Sequence, residues 1–412
     1  MAKIIPFKAV RSTRDKVSLI ASRSYESYSV KERNARMKAN PFSFLHILNP
    51  GYKYHKRISG KKRFGLVKNR YEEFKEDGYF FQDQKPCYYV HKIVDRNGQV
   101  FCGIIAAASA KDYENDVIKK HEDTIAAREE LFKDYLLTVG FNAEAVLLTY
   151  PDNANISIII EKKMGERAEY EFTTTFKDTH LLWVIDQKQD LEAIQHEFEA
   201  MDAIYIADGH HRSSSSYLLT QERHKQNDSH TGDEAYNFFM SYIIPESHLK
   251  IHEFFRLITD LNGLSKEEFL IALDEHFRIE NRETTEYVPS KKHHFNMYLD
   301  GEFYSLYLRK AQYTFENALD QLDAQILYKT VLAPILGIQD LRNSDRIDYV
   351  EGKKGAAYIK GLVDEKKYAV GFGMLPVTVE ELKQVADQGL KMPPKSTYIE
   401  PKLRSAITIY EF

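Results

Sequence analysis

The stretch Ile204-Tyr205-Ile206-Ala207-Asp208-Gly209-His210-His211-Arg212-Ser213-Ser214-Ser215-Ser216-Tyr217 sets how the chain is read. Its apolar run, Ile204 to Ala207, has the length and β-branched content of a buried strand. The run stops at Asp208-Gly209, and a helix is expected to open around Ser213. Gly209 has no Cβ, so the backbone there is able to approach a ligand and adopt dihedrals closed to other residues. The first amides of a helix lack intrahelical partners and form its positive end. His210, His211 and Arg212 add donors at the same place, and Ser213 to Ser216 add hydroxyls. A strand end, a glycine, a helix start and an arginine fork together suit an anion, either phosphate or carboxylate. The plainer alternative is a turn beside two satisfied polar histidines. Four kinds of donor between one strand and one helix favour the anion site. Asp208 among these donors is placed to hold a metal ion or to orient a histidine. Zinc is disfavoured, since adjacent histidines seldom share one ion and neither HExxH nor CxxC accompanies them.

Around this loop the pattern is α+β with mixed sheets. A strand over Ile4–Val10 and a basic Ser/Arg-rich loop and helix come first. Pro41 to Leu48 is read as a strand, stopped by Asn49-Pro50-Gly51. Residues 61–78 read as a helix with Tyr71 and Phe74 on its apolar stripe. CYYVHKIVD and QVFCGIIAAA flank Arg96-Asn97-Gly98 as a hairpin, because Asn-Gly is the strongest short turn signal. Residues 111–138 read as a charged helical region holding KKHEDT, and AVLLTY, ISIIIEK, AEYEFTTTF and HLLWVID read as strands. Leu191, Ile194, Phe198 and Met201 are spaced as a helix, and strands follow at 237–245 and 249–258. Ser265 with Glu268 is a capping signature, and HHFNMYLD with EFYSLYLR reads as a strand pair about Gly301. The expected organisation is an N-terminal region over 1–100, a core over 101–260 and a C-terminal domain over 261–412.

Composition narrows the function classes. A chain of 412 residues holds two or three domains of about 100–200 residues. Lys plus Arg number 57 against 61 Asp plus Glu, a net charge of −4. That balance, with no evident Lys/Arg-dense helix or helix-turn-helix, argues against a nucleic-acid partner. The only cysteines, Cys87 and Cys102, point to a reducing compartment. The opening residues hold too short an apolar run for a signal peptide, and no stretch approaches the ~20 apolar residues of a membrane span. The expectation is a cytoplasmic protein with small-molecule substrates and no nucleic-acid or membrane partner. Its oligomeric state is not legible.

Two further stretches carry candidate chemistry. Lys119-Lys120-His121-Glu122-Asp123-Thr124 contains carboxylates suited to act as a general base; a solvated charged face is the ordinary fate of such a run. Met392-Pro393-Pro394-Lys395-Ser396-Thr397-Tyr398 stiffens a loop with two prolines and presents Lys395, Ser396 and Thr397. Pro401-Lys402-Leu403-Arg404-Ser405 follows it.

At these places together the chain resembles the domain-of-unknown-function 1015 family. The resemblance runs in order through Pro6-Phe7, Ser43-Phe44-Leu45-His46, Lys120-His121-Glu122 with Thr124, Asp208-Gly209-His210-His211-Arg212, Leu332 to Ile338, and Met392-Pro393-Pro394-Lys395-Ser396-Thr397. The DGHHR loop is also similar to that of free-serine kinases with a ParB/sulfiredoxin-like fold. The resemblance implies phosphoryl transfer from pyrophosphate or a nucleotide (ADP or ATP) to free L-serine, with Mg²⁺ expected and its ligands unassigned. It implies a phosphate loop of Gly209, His210, His211, Arg212 and Ser213, with Asp208 catalytic, Glu122 as base and His121 beside it. Lys395, Ser396 and Thr397 are the candidate substrate contacts. Two departures stand out: relatives carry Pro-Tyr-Asp where this chain has Arg23-Ser24-Tyr25-Glu26, and Thr-His-Arg where it has Phe254-Phe255-Arg256. The alternative reading is a ParB-like nucleotide-binding regulatory or DNA-associated module. Sulfiredoxin-type repair needs a cysteine in the phosphate loop, and this loop has none.

Overall fold

A computed structural model describes residues 1–412. The chain forms two compact units. The first comprises Met1–Lys120, Thr124–Leu249 and Pro401–Phe412; the second comprises His121–Asp123 and Lys250–Glu400. The architecture is α+β.

The first unit is built on a nine-stranded mixed sheet. Its strands are β1 (Ile4–Ile5), β2 (Tyr88–Val94), β3 (Val100–Ser109), β4 (Ile118–Lys119), β5 (Val146–Tyr150), β6 (Tyr170–Thr173), β7 (Thr179–Ile185), β8 (Ile204–Asp208) and β9 (Phe238–Pro245). They lie in the order β6-β7-β2-β3-β9-β5-β8-β4, with β1 on β3. The antiparallel β2–β3 pair turns through Asp95 to Gln99, where Gly98 takes φ 82° and its amide reaches the Asp95 carbonyl. Near-continuous apolar runs make β3, β5, β8 and β9 core strands: Ile104, Leu148, Ile204, Ile206 and Ile243 are fully buried in one cluster. Each such side chain contributes roughly 1.5–3 kcal/mol of burial.

The longer helices of this unit include α1 (Val30–Ala39), α2 (Gly60–Glu76), α3 (Ala126–Val139) and α4 (His210–Lys225). Two short ribbons bring residues 401–412 back into the first unit. Arg404–Ser405 pairs with Ser22–Arg23, and Tyr410–Glu411 pairs with Phe141–Asn142.

The second unit holds a six-stranded antiparallel sheet. Its strands are β10 (Phe254–Ile258), β11 (Phe277–Glu283), β12 (His294–Leu299), β13 (Glu302–Leu308), β14 (Ile347–Glu351) and β15 (Val370–Met374), in the order β11-β13-β12-β15-β10-β14. The expected Ser265–Glu268 capping box opens helix α5, Lys266–Asp274.

Four local expectations are overturned. Pro41–Leu48 is not a strand: Leu45–Leu48 is a helical turn. Its apolar residues do not alternate, and Phe44, Leu45, Ile47 and Leu48 are all buried. ISIIIEK lies in the helix Ala154–Met164. There the Asn153 side chain accepts from the Ile156 amide at 3.0 Å, and Ile156 and Ile160 point into the core while Ile158 is exposed. A cap and an i,i+4 burial pattern outweigh the weak β preference of isoleucine. KKHEDT is not helical; it runs out of β4 into a loop, and α3 begins only at Ala126. Helix α4 starts at His210, three residues before the expected Ser213.

Candidate functional site

In the first unit, β8 lies between β5 and β4, antiparallel to the former and parallel to the latter. Its register slips at the end: Ile206 opposes Leu148, but Asp208 opposes Leu147. This bulge leaves Ala207 unpaired and re-aims the strand terminus, as bulges beside functional sites do. Asp208 therefore emerges from the sheet with its side chain 40% exposed. Lys402 Nζ lies 3.0 Å from Asp208 Oδ2. Burial pushes the Asp208 carboxyl up, but the charges of Lys402 and Arg212 outweigh it and hold the group below the usual carboxylate range.

Gly209 follows at φ 105°, ψ 30° and caps α4. Positive φ is costly for any side-chain-bearing residue, so the turn from strand to helix depends on glycine. Its carbonyl accepts from the amides of Arg212 (2.9 Å) and Ser213 (3.0 Å). No acidic residue stands in the first turn of α4, so its positive end, with His210, His211 and Arg212, is not neutralised from within the helix.

The side chains of the loop are held in place. Arg212 Nη1 donates to the Ala145 carbonyl at 2.8 Å and lies 3.7 Å from Glu144 Oε2. Glu144 in turn accepts from Ser405 Oγ at 2.8 Å and Ser24 Oγ at 3.3 Å. His211 Nε2 accepts from the Ile125 amide at 3.1 Å, which requires a lone pair on that nitrogen. The serines have been drawn into packing. Ser213 Oγ donates to the Gly209 carbonyl, Ser215 Oγ to the His211 carbonyl and Ser214 Oγ to Glu129, and all three residues are buried.

The other candidate residues belong to the second unit. His121 is fully buried, and its carbonyl accepts from the Met392 amide at 2.9 Å. That bond joins the KHE segment to the MPPKST loop. Glu122 is half-buried. Lys395 is exposed at φ 56° with its Nζ 5.5 Å from the Phe254 ring centroid. Ser396 is buried and donates to the Pro393 carbonyl at 2.7 Å, while Thr397 is half-buried beside it. Arg256 lies beneath this loop: its Nη2 donates to the Lys395 carbonyl at 3.3 Å, and burial pushes its guanidinium down to about 10.

The structure thus gathers 208–213 in one unit, and 121–122 with 392–397 in the other. Three participants escape a reading of the sequence: Lys402, Glu144 and Glu129. Lys402 stands in the Pro401–Ser405 stretch, yet no spacing rule links position 402 to 208. Glu144 carries the better signal, being an acid close before a fully buried strand.

A family model described as a protein of unknown function (DUF1015) matches residues 4–325. No curated protein matches the chain. Among solved structures, the chain is similar to a free serine kinase in complex with AMP, at 13% identity over 70% of this chain and 86% of that one, with a TM-score of 0.34. It is similar to SbnI with C-terminal truncation from Staphylococcus aureus at 14% identity, over 74% and 87% of the two chains, TM-score 0.38. A conserved hypothetical protein from Pyrococcus furiosus gives 14% identity over 70% and 89%, TM-score 0.35. No helix is long and apolar enough to cross a membrane.

Proposed function

The chain belongs to the DUF1015 family, and we propose that it is a small-molecule phosphotransferase, moving a phosphoryl group from pyrophosphate or a nucleotide to the hydroxyl of free L-serine. The observation that carries this reading is the Asp208–Arg212 turn. A core strand ends in a bulge, a left-handed glycine opens a helix, and Arg212 and Lys402 add positive charge beside a helix start that holds no acid. Phosphoryl transfer asks mainly for such positioning and charge neutralisation.

In this reading the region 101–260 is a ParB/sulfiredoxin-like core. Gly209, His210, His211, Arg212 and Ser213 form its phosphate loop, Ser213 by fixing the Gly209 carbonyl. Glu122 is the base. The serine Oγ–P bond forms as the bridging P–O bond of the donor breaks. The serine proton passes to Glu122, and the departing phosphate or nucleotide keeps the bridging electrons. Lys395, Ser396 and Thr397 are the proposed substrate contacts, and His121 steadies Glu122. Mg²⁺ usually takes one or two carboxylates along with substrate phosphate oxygens, and Asp208, a hard oxygen donor beside the phosphate loop, would hold it. When bound, the ion neutralises phosphate charge.

The test is a donor-by-acceptor screen of the full chain with Mg²⁺. Pyrophosphate, ADP and ATP are paired with serine, threonine, homoserine and inositol, and products are scored by mass spectrometry. O-phosphoserine is expected. Arg212→Ala raises the donor KM and lowers kcat/KM, whereas Glu122→Ala lowers kcat by about 10²–10⁴. No phosphorylated product from any pairing refutes the activity, and unchanged kcat in Glu122→Ala removes the base.

A further inference from the structure

At the first departure from the family pattern, Arg23-Ser24, the fold assembles a cluster of arginines. Arg23 lies opposite Arg404 across the ribbon Ser22–Arg23/Arg404–Ser405. Helix α1 brings Arg36 to the same place: the Arg23 and Arg36 guanidinium carbons lie 5.0 and 5.2 Å from the Phe176 ring centroid, and 5.5 and 5.2 Å from that of Tyr28. Tyr28 is buried and Phe176 is 39% exposed, so the cluster has a floor and an open side. Arg404 donates to the Ala21 carbonyl at 3.1 Å. Burial pushes its guanidinium down, Tyr28 and Asp178 oppose that, and the charges of Arg23 and Arg36 add to it.

Three cations held together call for compensating charge, and no carboxylate pairs directly with any of them. Neither Arg23, Arg36 nor Arg404 has a carboxylate oxygen within 4.0 Å. The acids that face the cluster are Glu32 and Asp178. Glu32 is turned toward the capping box of α1, where it accepts from the Ser29 amide and hydroxyl, so it and Asp178 offset part of the charge from a distance without closing on a guanidinium. The surrounding sequence reinforces the imbalance: from Arg33 to Tyr71 there are eleven Lys and Arg residues and not one Asp or Glu, in a chain whose net charge is −4. The aromatic faces offset part of the repulsion. What completes the arrangement is an anion, and guanidinium forks suit the paired oxygens of a phosphate.

The place is separate from the Asp208–Arg212 loop. Arg404 and Ser405 are successive residues of one strand and project to opposite faces. Ser405 bonds to Glu144, the partner of Arg212, whereas Arg404 faces Arg23 and Arg36. We propose that Arg23, Arg36 and Arg404, walled by Tyr28 and Phe176, form a second anion site that takes a phosphate-bearing small molecule.

Isothermal titration of the full chain with pyrophosphate tests this, with inorganic phosphate and O-phosphoserine as parallel arms to separate a free anion from a phosphate ester. Wild type is expected to show two sites. Arg23→Gln/Arg36→Gln raises Kd at one of them at least tenfold and affects the other far less; Arg212→Gln does the reverse. Arg36→Lys, which keeps charge but loses the fork, is a milder variant on α1 and retains weakened binding at the second site. One site lost only in Arg212→Gln overturns the second site and leaves the phosphate loop standing. One site lost only in the Arg23/Arg36 variant supports the second site and refutes the loop as a phosphate binder. Absence of binding to all three ligands overturns both.

Discussion

Gly209→Ala puts the strand-to-helix turn under direct test. At φ 105° a side chain meets the left-handed penalty, about 1–2 kcal/mol. The new Cβ would also sit 3.0 Å from both Arg212 Nε and Nη2, closer than relaxed van der Waals contact. The guanidinium must give way, although its Nη1 is tied to the Ala145 carbonyl at 2.8 Å. A hydrogen bond from a charged donor is worth roughly 1.5–3 kcal/mol when buried. The Arg212 side chain is 32% exposed, so about 1 kcal/mol is the appropriate share. The sum is about 2–3 kcal/mol, or roughly 30- to 150-fold in the folding equilibrium. Urea unfolding of wild type, Gly209→Ala, Arg212→Ala and the double variant measures it, read as midpoint shifts at constant m. Because Arg212→Ala removes the clash while leaving the backbone penalty, the double variant should lose about 1 kcal/mol less than the sum of the singles. Additivity within about 0.3 kcal/mol would show that Gly209 and Arg212 do not crowd one another, and a cost below about 0.5 kcal/mol for Gly209→Ala would refute the left-handed turn itself.

Other perturbations probe neighbouring parts of the same chain. Lys402→Met removes the cation 3.0 Å from Asp208. With both side chains about half exposed the loss is about 0.5 kcal/mol at pH 7. Since the folded Asp208 carboxyl is held low, its contribution is present above the unfolded carboxylate range and fades as pH falls through the folded value, so the two proteins converge in acid in urea melts. Burial pushes His91 down to about 3 and His180 well below its ordinary value, and the two rings share a 3.1 Å contact. Both must gain protons to unfold in acid, so wild-type stability is full above about pH 6.5 and falls steadily below it; His91→Phe/His180→Leu should flatten that decline between about pH 6 and 4. Asn153→Ala removes the cap of the Ala154–Met164 helix and should cost about 1 kcal/mol by the same melts, with no change arguing that the helix needs no cap.

How far the sequence could be read depended on whether the deciding physics was local. The Asn97-Gly98 hairpin, the Ser265–Glu268 cap and the apolar run before Asp208 are all settled within a few residues, and each forms where the pattern places it. ISIIIEK misleads because β-branching is outweighed by the Asn153 cap and the spacing of Ile156 and Ile160. KKHEDT misleads because a charged run resembles a helix surface until the pairing of Lys119 with Tyr205 claims its start for the sheet. At the candidate site the loop itself is legible and its supports are not. Lys402 reaches Asp208 across 194 residues of chain, and Ser405 reaches Glu144 across 261. Both arrive beside a ribbon of two residues per strand that no periodicity announces.

The same ribbon explains why the two basic places in the first unit behave differently. Arg212 is a restrained cation: the Ala145 carbonyl and Glu144 fix it and Lys402 is paired with Asp208, which leaves the helix start, with no acid in its first turn, as the remaining positive element of that pocket. Arg23 and Arg36 have aromatic rings where Arg212 has a carboxylate, and with Arg404 they form no ion pair, so the cluster keeps an excess of positive charge until an anion binds. Such a place favours holding an anion over passing it on. Since one strand carries Arg404 on one face and Ser405 on the other, an anion that tightens the ribbon through Arg404 also fixes Ser405 against Glu144, and through Glu144 the position of Arg212. Occupancy of the outer cluster is therefore expected to lower the Kd of the inner loop for pyrophosphate, and by linkage the reverse. Titration of pyrophosphate into wild type and into Arg23→Gln/Arg36→Gln reads this directly: the inner site should weaken modestly in the variant, and an inner Kd that does not move would show that the ribbon transmits nothing.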